Sequence, residues 1–393
     1  MTNFDDLKLA VQAISGGRNT VLLDDMGMPS IMVPFPKLTY ADIMTGGTQD
    51  PLPAFLVDGH EIPVIYESKY QNIVVNDRAY SLPFEDPRVY ITFDQALQMC
   101  RNKGDGWHLH SNALWAAIQS WCYKNKTVPH GNGNFGKDYS NPHEHGVVTY
   151  RYTDGGTTRD GRTATGSGPV TWYHNYDSSG IADLCGNIWE WVAGLRMVNG
   201  EIQIIPYGNS MKADCNMSAT STEWKAIMPN GTLVAPGTAG TLKYDGETAT
   251  GAPRINTAVE FKPGTDDGYY WRQFGTLAAK AGVDIPPMMK ALGLAPIPDY
   301  EYGNGGFWIR PQAAERLPIR GAHWSNTSYA GVAALSLNYG GFWIRPQAAE
   351  RLPLRGACWS DTTDAGVSAL SLYYPRSLSN VHVGFRAAFY EKL

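Results

Sequence analysis

Residues 305–339 and 340–374 are near-copies of one segment, GGFWIRPQAAERLPIRGAHWSNTSYAGVAALSLNY followed by GGFWIRPQAAERLPLRGACWSDTTDAGVSALSLYY, at an offset of 35 residues. A stacked array needs at least about three units to bury its faces, so two copies exclude a solenoid and mark a segment duplication. The copies differ at Ile319/Leu354, His323/Cys358, Asn326/Asp361, Ser328/Thr363, Tyr329/Asp364, Ala333/Ser368 and Asn338/Tyr373. Every residue in those pairs can be reached from the Asn codon AAC by changing only its adenines, a set without Lys, Glu, Gln, Met and Trp. With ordinary composition those five types would be avoided by chance roughly one time in twenty to thirty. Phe307, Trp308, Arg310, Glu315, Trp324 and Leu335 recur unchanged in the second copy. Exchanging Tyr for Asp in a packed core costs on the order of several kcal/mol, so the changing positions are expected to face solvent and the constant ones to be scaffold. Neutral drift of surface positions after a duplication is the alternative that these residues leave open.

The 393-residue length suits two average domains or one irregular domain with large insertions. Only 18% of residues are charged, against 42 Gly, 25 Pro, 22 Tyr and 12 Trp, which points to a folded, loop-rich chain with many turns and aromatic contacts. A net charge of −5 and the lack of a Lys/Arg block supply no phosphate-seeking field, so nucleic acid is not an expected partner. No apolar run approaches a membrane span, and no membrane insertion is expected. Residues 1–15 carry Asp5 and Asp6 and lack a basic stretch followed by an apolar one, so they do not read as a secretory leader. The expectation is a virion component, or else a cytoplasmic protein. Cys100, Cys122, Cys185, Cys215 and Cys358 are widely spaced, without C-x-x-C or His at zinc-ligand spacing, and read as free thiols with no metal site.

Residues 4–15 place apolar side chains at helical intervals and stop at Gly16-Gly17, which predicts a helical arm over residues 1–28. Short strands are expected at 54–57 and 62–66. Thr92 caps a predicted helix through Cys100, and Ser111 caps a Trp-rich one through Lys124. Residues 129–168, dominated by Gly, Asn, His, Asp and Thr, predict surface loops. Strand-like pieces alternate with turns over 195–265, a β-rich insertion, and 274–293 reads as a helix interrupted at Pro286-Pro287. His108, His110, His130, His143 and His145 read as loop histidines. Asp154-Gly155-Gly156, Asp160-Gly161 and Asp245-Gly246 keep calcium open as a ligand, although EF-hand spacing is missing.

The run Asp183-Leu184-Cys185-Gly186-Asn187-Ile188-Trp189-Glu190-Trp191-Val192, with Arg355-Gly356-Ala357 and the closing Val383-Gly384-Phe385-Arg386, resembles the formylglycine-generating-enzyme-type sulfatase-modifying domain, a C-type-lectin-like fold. Tyr90-Ile91-Thr92-Phe93-Asp94-Gln95-Ala96 and Trp107-His108-Leu109-His110 sit where that family has its two helices and intervening turn. The likeness spans roughly residues 30–393. It implies an α+β, loop-rich domain over 29–393, with the insertion at 195–265, the first copy at 305–339 and the second copy with a variable region at 340–386. Gly186, Asn187, Trp189, Trp191, Arg355, Trp359, Gly384, Phe385 and Arg386 would form the scaffold, with Leu370 and Leu372 as further support. Arg355 and Arg386 would pin the ends of the segment on buried carboxylates or carbonyls, with Glu190 as a candidate acceptor.

Within that fold, residues 355–372 with Arg376-Ser377 and Gly384-Phe385-Arg386 are similar to the variable region of proteins diversified by diversity-generating retroelements, the phage tropism determinants among them. In that group a reverse transcriptase randomises template adenines. The resemblance implies displayed positions at Cys358, Ser360, Asp361, Thr363, Asp364, Ser368, Ser371, Tyr373, Tyr374, Leu378, Asn380 and His382. A second set, His323, Asn326, Ser328, Tyr329 and Asn338, would follow if the first copy is also displayed. Tyr373 and Tyr374 are the favoured anchors, because Tyr gives contact area at low entropic cost. The copper-using chemistry of formylglycine formation needs a cysteine pair after the Arg-Gly-Gly element, and the corresponding places here hold Asp361 and Gly366. Cys358 alone cannot make a thiolate pair. The expectation is a binding protein rather than an enzyme, with no cofactor, which recognises a protein or glycan ligand on a bacterial cell surface. Display on a homo-oligomer in a phage tail would raise avidity. A formylglycine-generating-type oxidoreductase and an inert structural tail or baseplate protein are the alternatives.

Overall fold

The computed structural model describes residues 4–154, 156–261, 270–302, 376–377 and 379–392, and the strands Gly306–Ile309, Ile319–Arg320, Leu335–Ser336, Leu354–Arg355 and Leu370–Ser371. Its two main helices start where their sequences place a cap. The Thr92 hydroxyl accepts the Gln95 N–H and the Gln95 side chain accepts the Thr92 N–H, a reciprocal cap that opens the helix Phe93–Arg101. Ser111 accepts the Leu114 N–H and opens Asn112–Asn125, which closes on Lys126 in the left-handed region at φ 57°. Leu114, Trp115, Ile118 and Cys122 on the second helix have no exposed surface, so its apolar surround belongs to the core rather than to one amphipathic face.

These helices accompany a five-stranded sheet in the order Thr20–Leu23, Pro29–Pro36, Val64–Ser68, Ala387–Phe389, Trp107–Leu109, with every neighbour antiparallel. The last strand of the chain is thus seated between two strands from its first third. The helical arm is shorter than expected. Asp5–Ile14 is helical with no buried residue, but Gly16 and Gly17, both at positive φ, turn the chain so that Thr20–Leu23 already belongs to the sheet.

A second sheet runs in the order Tyr270–Gln273, Gly306–Ile309, Leu335–Ser336, Ile319–Arg320, Leu370–Ser371, Leu354–Arg355, Trp189–Trp191, Val383–Phe385. Both repeat copies give it equivalent dipeptides, Ile319–Arg320 with Leu354–Arg355, and Leu335–Ser336 with Leu370–Ser371. A third sheet fills the insertion. It orders Leu233–Val234, Lys225–Ile227, Glu201–Ile204, Lys243–Gly246 and Pro253–Asn256, with Leu195–Val198 also paired to Glu201–Ile204. The stretch 129–168, expected as loops, contains a hairpin of Arg151–Asp154 and Thr157–Asp160. Residues 274–293 are not an interrupted helix. A 3-10 turn, Phe274–Thr276, is followed by a separate helix, Pro287–Ala291, which Pro287 starts at the position where its missing N–H costs nothing. One continuous apolar core, including Phe55, Phe93, Trp115, Trp191 and Trp224, joins these layers. Among the described residues no helix is long and apolar enough to cross a membrane.

Candidate functional site

The strand Trp189–Trp191 is the axis of the site, and its approach is set by two residues in the left-handed region. Gly186 lies at φ 73°, and a Cβ there would stand 2.3 Å from the Asn132 carbonyl oxygen, so only glycine fits. Asn187 follows at φ 66°, a conformation that a short polar side chain tolerates. Its amide donates to Gln71 Oε1 at 2.9 Å and to the Thr163 carbonyl at 3.0 Å, while its oxygen accepts the Thr163 N–H at 2.8 Å. Trp191 donates its indole N–H to the Ile91 carbonyl at 3.0 Å and meets Phe93 edge-on.

Glu190 is paired on both sides. Arg355 lies opposite it in an antiparallel ladder, and Gly384 opposite it in a parallel one. Gly384 is dictated by packing, since a Cβ would come within 2.3 Å of the Arg88 carbonyl oxygen and 2.4 Å of Ile188. The two ends of segment 355–386 therefore meet on one residue of the scaffold.

Beneath this seam lies a polar network with no solvent exposure. Arg386 holds the Glu190 carboxylate with two parallel bonds, Nε to Oε2 at 2.6 Å and a terminal nitrogen to Oε1 at 2.7 Å. It also donates to the carbonyls of Ala182 at 3.1 Å, Ser68 at 3.3 Å and Asp183 at 3.3 Å. Gln71 donates to Glu190 Oε1 at 3.0 Å. Burial works against the guanidinium charge, yet Glu190, and beyond it Glu67 and Asp183, outweigh burial and hold the Arg386 pKa above its ordinary value. Burial pushes Glu67 well above the carboxylate range, against the pull of Arg386. Asp183, fully buried, is pushed up to about 6 by desolvation, although it accepts the Gly166 N–H at 2.7 Å. His110 stands 2.9 Å from Glu67 in the same layer.

Of the residues expected as scaffold, Gly186, Asn187, Trp189, Trp191, Gly384, Phe385 and Arg386 are buried around the seam, and Arg355 lies in the strand opposite Glu190. Of the displayed positions, Ser371 sits in the strand Leu370–Ser371, opposite Leu354. Asn380 and His382 are half-buried rather than fully displayed, and their carbonyls accept the Tyr90 and Trp189 N–H groups at 2.9 and 2.8 Å. Cys358, Trp359, Ser360, Asp361, Thr363, Asp364, Ser368, Tyr373, Tyr374 and Leu378 lie outside the described residues, as do His323, Asn326, Ser328, Tyr329 and Asn338. Arg376, next to the segment's far end, pairs with Asp94, donates to the Met217 carbonyl and lies over the Phe93 ring.

Sequence reasoning missed Gln71, Asn72 and Glu67, and gave Asp183 no role beyond opening the run that ends at Val192. Asn72 is a main-chain clamp, donating its backbone N–H to the Phe385 carbonyl at 3.1 Å and accepting the Ala387 N–H on its side chain at 2.7 Å. The available signal was a polar run, Glu67 to Asn72 around one Tyr, at the end of a strand whose Ile65 is in the core. His108 and His110 are not loop histidines. They lie on and just after the strand Trp107–Leu109, both buried, and desolvation depresses His108 to about 4.

Of the three calcium candidates in the sequence, the Asp154 side chain and Gly155 lie outside the described residues. The Asp245 carboxylate is committed to Arg254, to Asn256 and to the backbone N–H groups of Glu260 and Phe261, which leaves it no role as an ion ligand. Asp160 pairs with Arg151. A two-thiolate copper centre does not fit the donor set either. The thiols of Cys100, Cys122 and Cys215 are buried and pushed up by desolvation, and Cys358 is the sole cysteine after residue 215.

Residues 49–228 match the FGE-sulfatase family model, the sulfatase-modifying factor enzyme 1-like domain. The match contains the two capped helices, Gly186, Asn187 and the strand Trp189–Trp191. No curated protein matches the chain.

Proposed function

We propose that this chain turns a sulfatase-modifying-type domain of C-type-lectin-like fold to binding: a receptor-binding protein whose segment 355–386, diversified by adenine-directed mutagenesis, is displayed on a phage tail and recognises a protein or glycan of a bacterial surface. The observation that carries this reading is the pairing of Glu190 with Arg355 on one side and Gly384 on the other, over the buried Arg386–Glu190 pair. Fixing both ends on a rigid support lets the side chains between them change without carrying fold stability. The adenine-compatible differences between the two repeat copies support it from an independent direction. The family match covers residues 49–228, which hold the two capped helices and the strand Trp189–Trp191 that support the segment. On this reading the chain performs no catalysis, takes no cofactor and gains avidity from a homo-oligomeric display.

Sequencing this locus in many sibling isolates tests the proposal. Substitutions confined to Cys358, Asp361, Asp364, Ser368, Tyr373, Tyr374 and their like, beside a reverse transcriptase and an adenine-rich template, are the expected result. Substitutions that fall at Trp359 and Phe385 as often as at Tyr373 would overturn it. Replacing Tyr373 and Tyr374 with Ala should cut adsorption to cells by about tenfold or more, the loss of a hot-spot pair. Unchanged adsorption would favour an inert tail component. The family match is what favours the oxidoreductase reading, and a copper-dependent activity lost in Cys358→Ser would establish it.

A further inference from the structure

The loop 84–90 carries the two most exposed aromatic side chains among the described residues, Phe84 and Tyr90, which leave 67% and 60% of their surface to solvent. Both sit in the left-handed region, at φ 60° and 54°. A bulky side chain is strained there, and glycine or asparagine would relieve the strain. Other aromatic residues in that region have contacts that offset it. Phe135 packs against the core under the Arg159 guanidinium, and Tyr176 donates its hydroxyl to the Val128 carbonyl at 2.7 Å, while Tyr207 is less exposed, at 45%. Phe84 and Tyr90 combine strain with exposure, a pairing that folding alone does not reward.

The loop that holds them is tied down along its length. Pro87 and Val89 are buried between its exposed residues, and Ile91 follows in the core. The Phe84 N–H donates to the Thr165 carbonyl at 2.8 Å, and the Thr165 N–H to the Glu85 carbonyl at 2.9 Å. The Asp86 carboxylate takes two bonds from Arg162, at 3.0 and 2.7 Å, and the Arg88 N–H donates to the Asn72 carbonyl at 2.8 Å. The same stretch borders the returning end of segment 355–386. The Phe93 N–H donates to the Arg376 carbonyl at 3.3 Å, the Tyr90 N–H to the Asn380 carbonyl at 2.9 Å, and Arg162 to the Val381 carbonyl at 2.8 Å. Each of these bonds uses a main-chain carbonyl of the segment, so each survives an exchange of side chain at that position. Tyr90 is therefore an exposed ring of the frame, fixed beside a position expected to vary.

The two rings are separated in sequence by Glu85, Asp86 and Arg88, all exposed. The core of a protein–protein interface is apolar and depleted in charged residues, and this interleaved loop supplies no such core. A lone flat ring edged by charged groups suits a sugar instead, whose C–H face lies on the aromatic face while its hydroxyls meet the polar neighbours. We infer that Tyr90, with Phe84 at the other end of the loop, is a constant contact of the binding surface that stacks on sugar rings of a bacterial surface glycan, while segment 355–386 supplies the contacts that vary. The assignment rests on the reading of that segment as a binding surface, and it commits the surface to a glycan.

Adsorption of the labelled full chain to bacterial cells, read beside thermal unfolding of the same preparation, tests it. Tyr90→Asn should adsorb about tenfold more weakly, the loss of one aromatic anchor, and should unfold at a higher temperature because Asn relaxes in the left-handed region. Tyr90→Trp should adsorb within about twofold of the parent, since a flat ring remains. Periodate oxidation of the cells, which cleaves vicinal diols of sugars, should abolish adsorption, and protease digestion of the cells should leave it intact. Loss on digestion but not on oxidation would make the partner a protein and overturn the assignment. A Tyr90→Asn variant that adsorbs like the parent, or one that unfolds at a lower temperature, would overturn it too. The Tyr373→Ala, Tyr374→Ala double variant separates the two levels. If it loses adsorption while Tyr90→Asn keeps it, the stacking role falls and the variable surface stands; if neither variant changes adsorption, both fall.

Discussion

The Arg386–Glu190 pair shows how one residue contact carries the site. Both side chains are fully buried, and halving such a pair leaves an uncompensated charge, which costs more than replacing the pair altogether. Arg386→Met should therefore lower the unfolding free energy by about 3–5 kcal/mol in urea titrations, and adding Glu190→Leu should recover a large part of that loss. The buried titrating groups pull in opposite directions with pH. Burial depresses His108 to about 4 and His174 to about 3, so the stability that comes from keeping them neutral is lost as pH falls below the unfolded histidine value of 6.5. Asp183 has the reverse sign. Its folded pKa of about 6 lies above 3.8, so its contribution is present at low pH and is lost as pH rises through 6. Asp183→Asn should accordingly fall more steeply in urea midpoint between pH 6 and pH 4 than the parent does. An equal or shallower fall would contradict this assignment. In sequence, the Trp-Glu-Trp and Gly-Phe-Arg runs pointed to Glu190 and Arg386. Gln71 did not emerge, because its partner Glu190 lies 119 residues away and a polar residue at a strand end looks the same whether it faces water or a buried network.

At the scale of elements, local rules succeeded where the determinants are local. Thr92 with Gln95, and Ser111, fix the starts of two helices within one turn, and the sequence displays those contacts directly. Thr92→Ala should cost about 1 kcal/mol with no effect on ligand binding, since the cap lies on the frame. Gly384→Ala is expected to act differently. Its new Cβ would collide with the Arg88 carbonyl, so the strand Val383–Phe385 must shift along Trp189–Trp191. A loss of about 1–3 kcal/mol should accompany weakened adsorption, measurable by thermal unfolding and by cell binding of the same preparation. Elements set by distant partners stayed illegible. Nothing near Ala387–Phe389 says that it lies between Val64–Ser68 and Trp107–Leu109, and the prolines at 286 and 287 read as an interruption because proline is equally at home at a helix start.

For the whole molecule, the duplication is a redundancy within one sheet. The first copy provides Gly306–Ile309, which pairs with Tyr270–Gln273 and places Phe307 opposite Leu335. Residues 341–344 repeat Gly306–Ile309 without change, and Phe342 stands at the same distance in sequence from Leu370. A chain lacking 305–339 should therefore fold, with residues 341–344 taking the place beside Tyr270–Gln273. Circular dichroism should show little change in strand content, and adsorption should persist if the second copy makes the contacts; an unfolded product would show that the copies are not interchangeable. The seam has a further consequence for length. Arg355 and Gly384 flank the same residue, so the chain between them begins and ends about 10 Å apart, two strand spacings, however many residues it contains. Closing a loop across a fixed gap costs only about 0.6 kcal/mol for each doubling of its contour. The frame therefore measures the gap and does not count residues, and insertions or deletions away from the strand Leu370–Ser371, which pairs with Leu354–Arg355, and from the anchored Arg376 should be tolerated nearly as readily as exchanges of side chain.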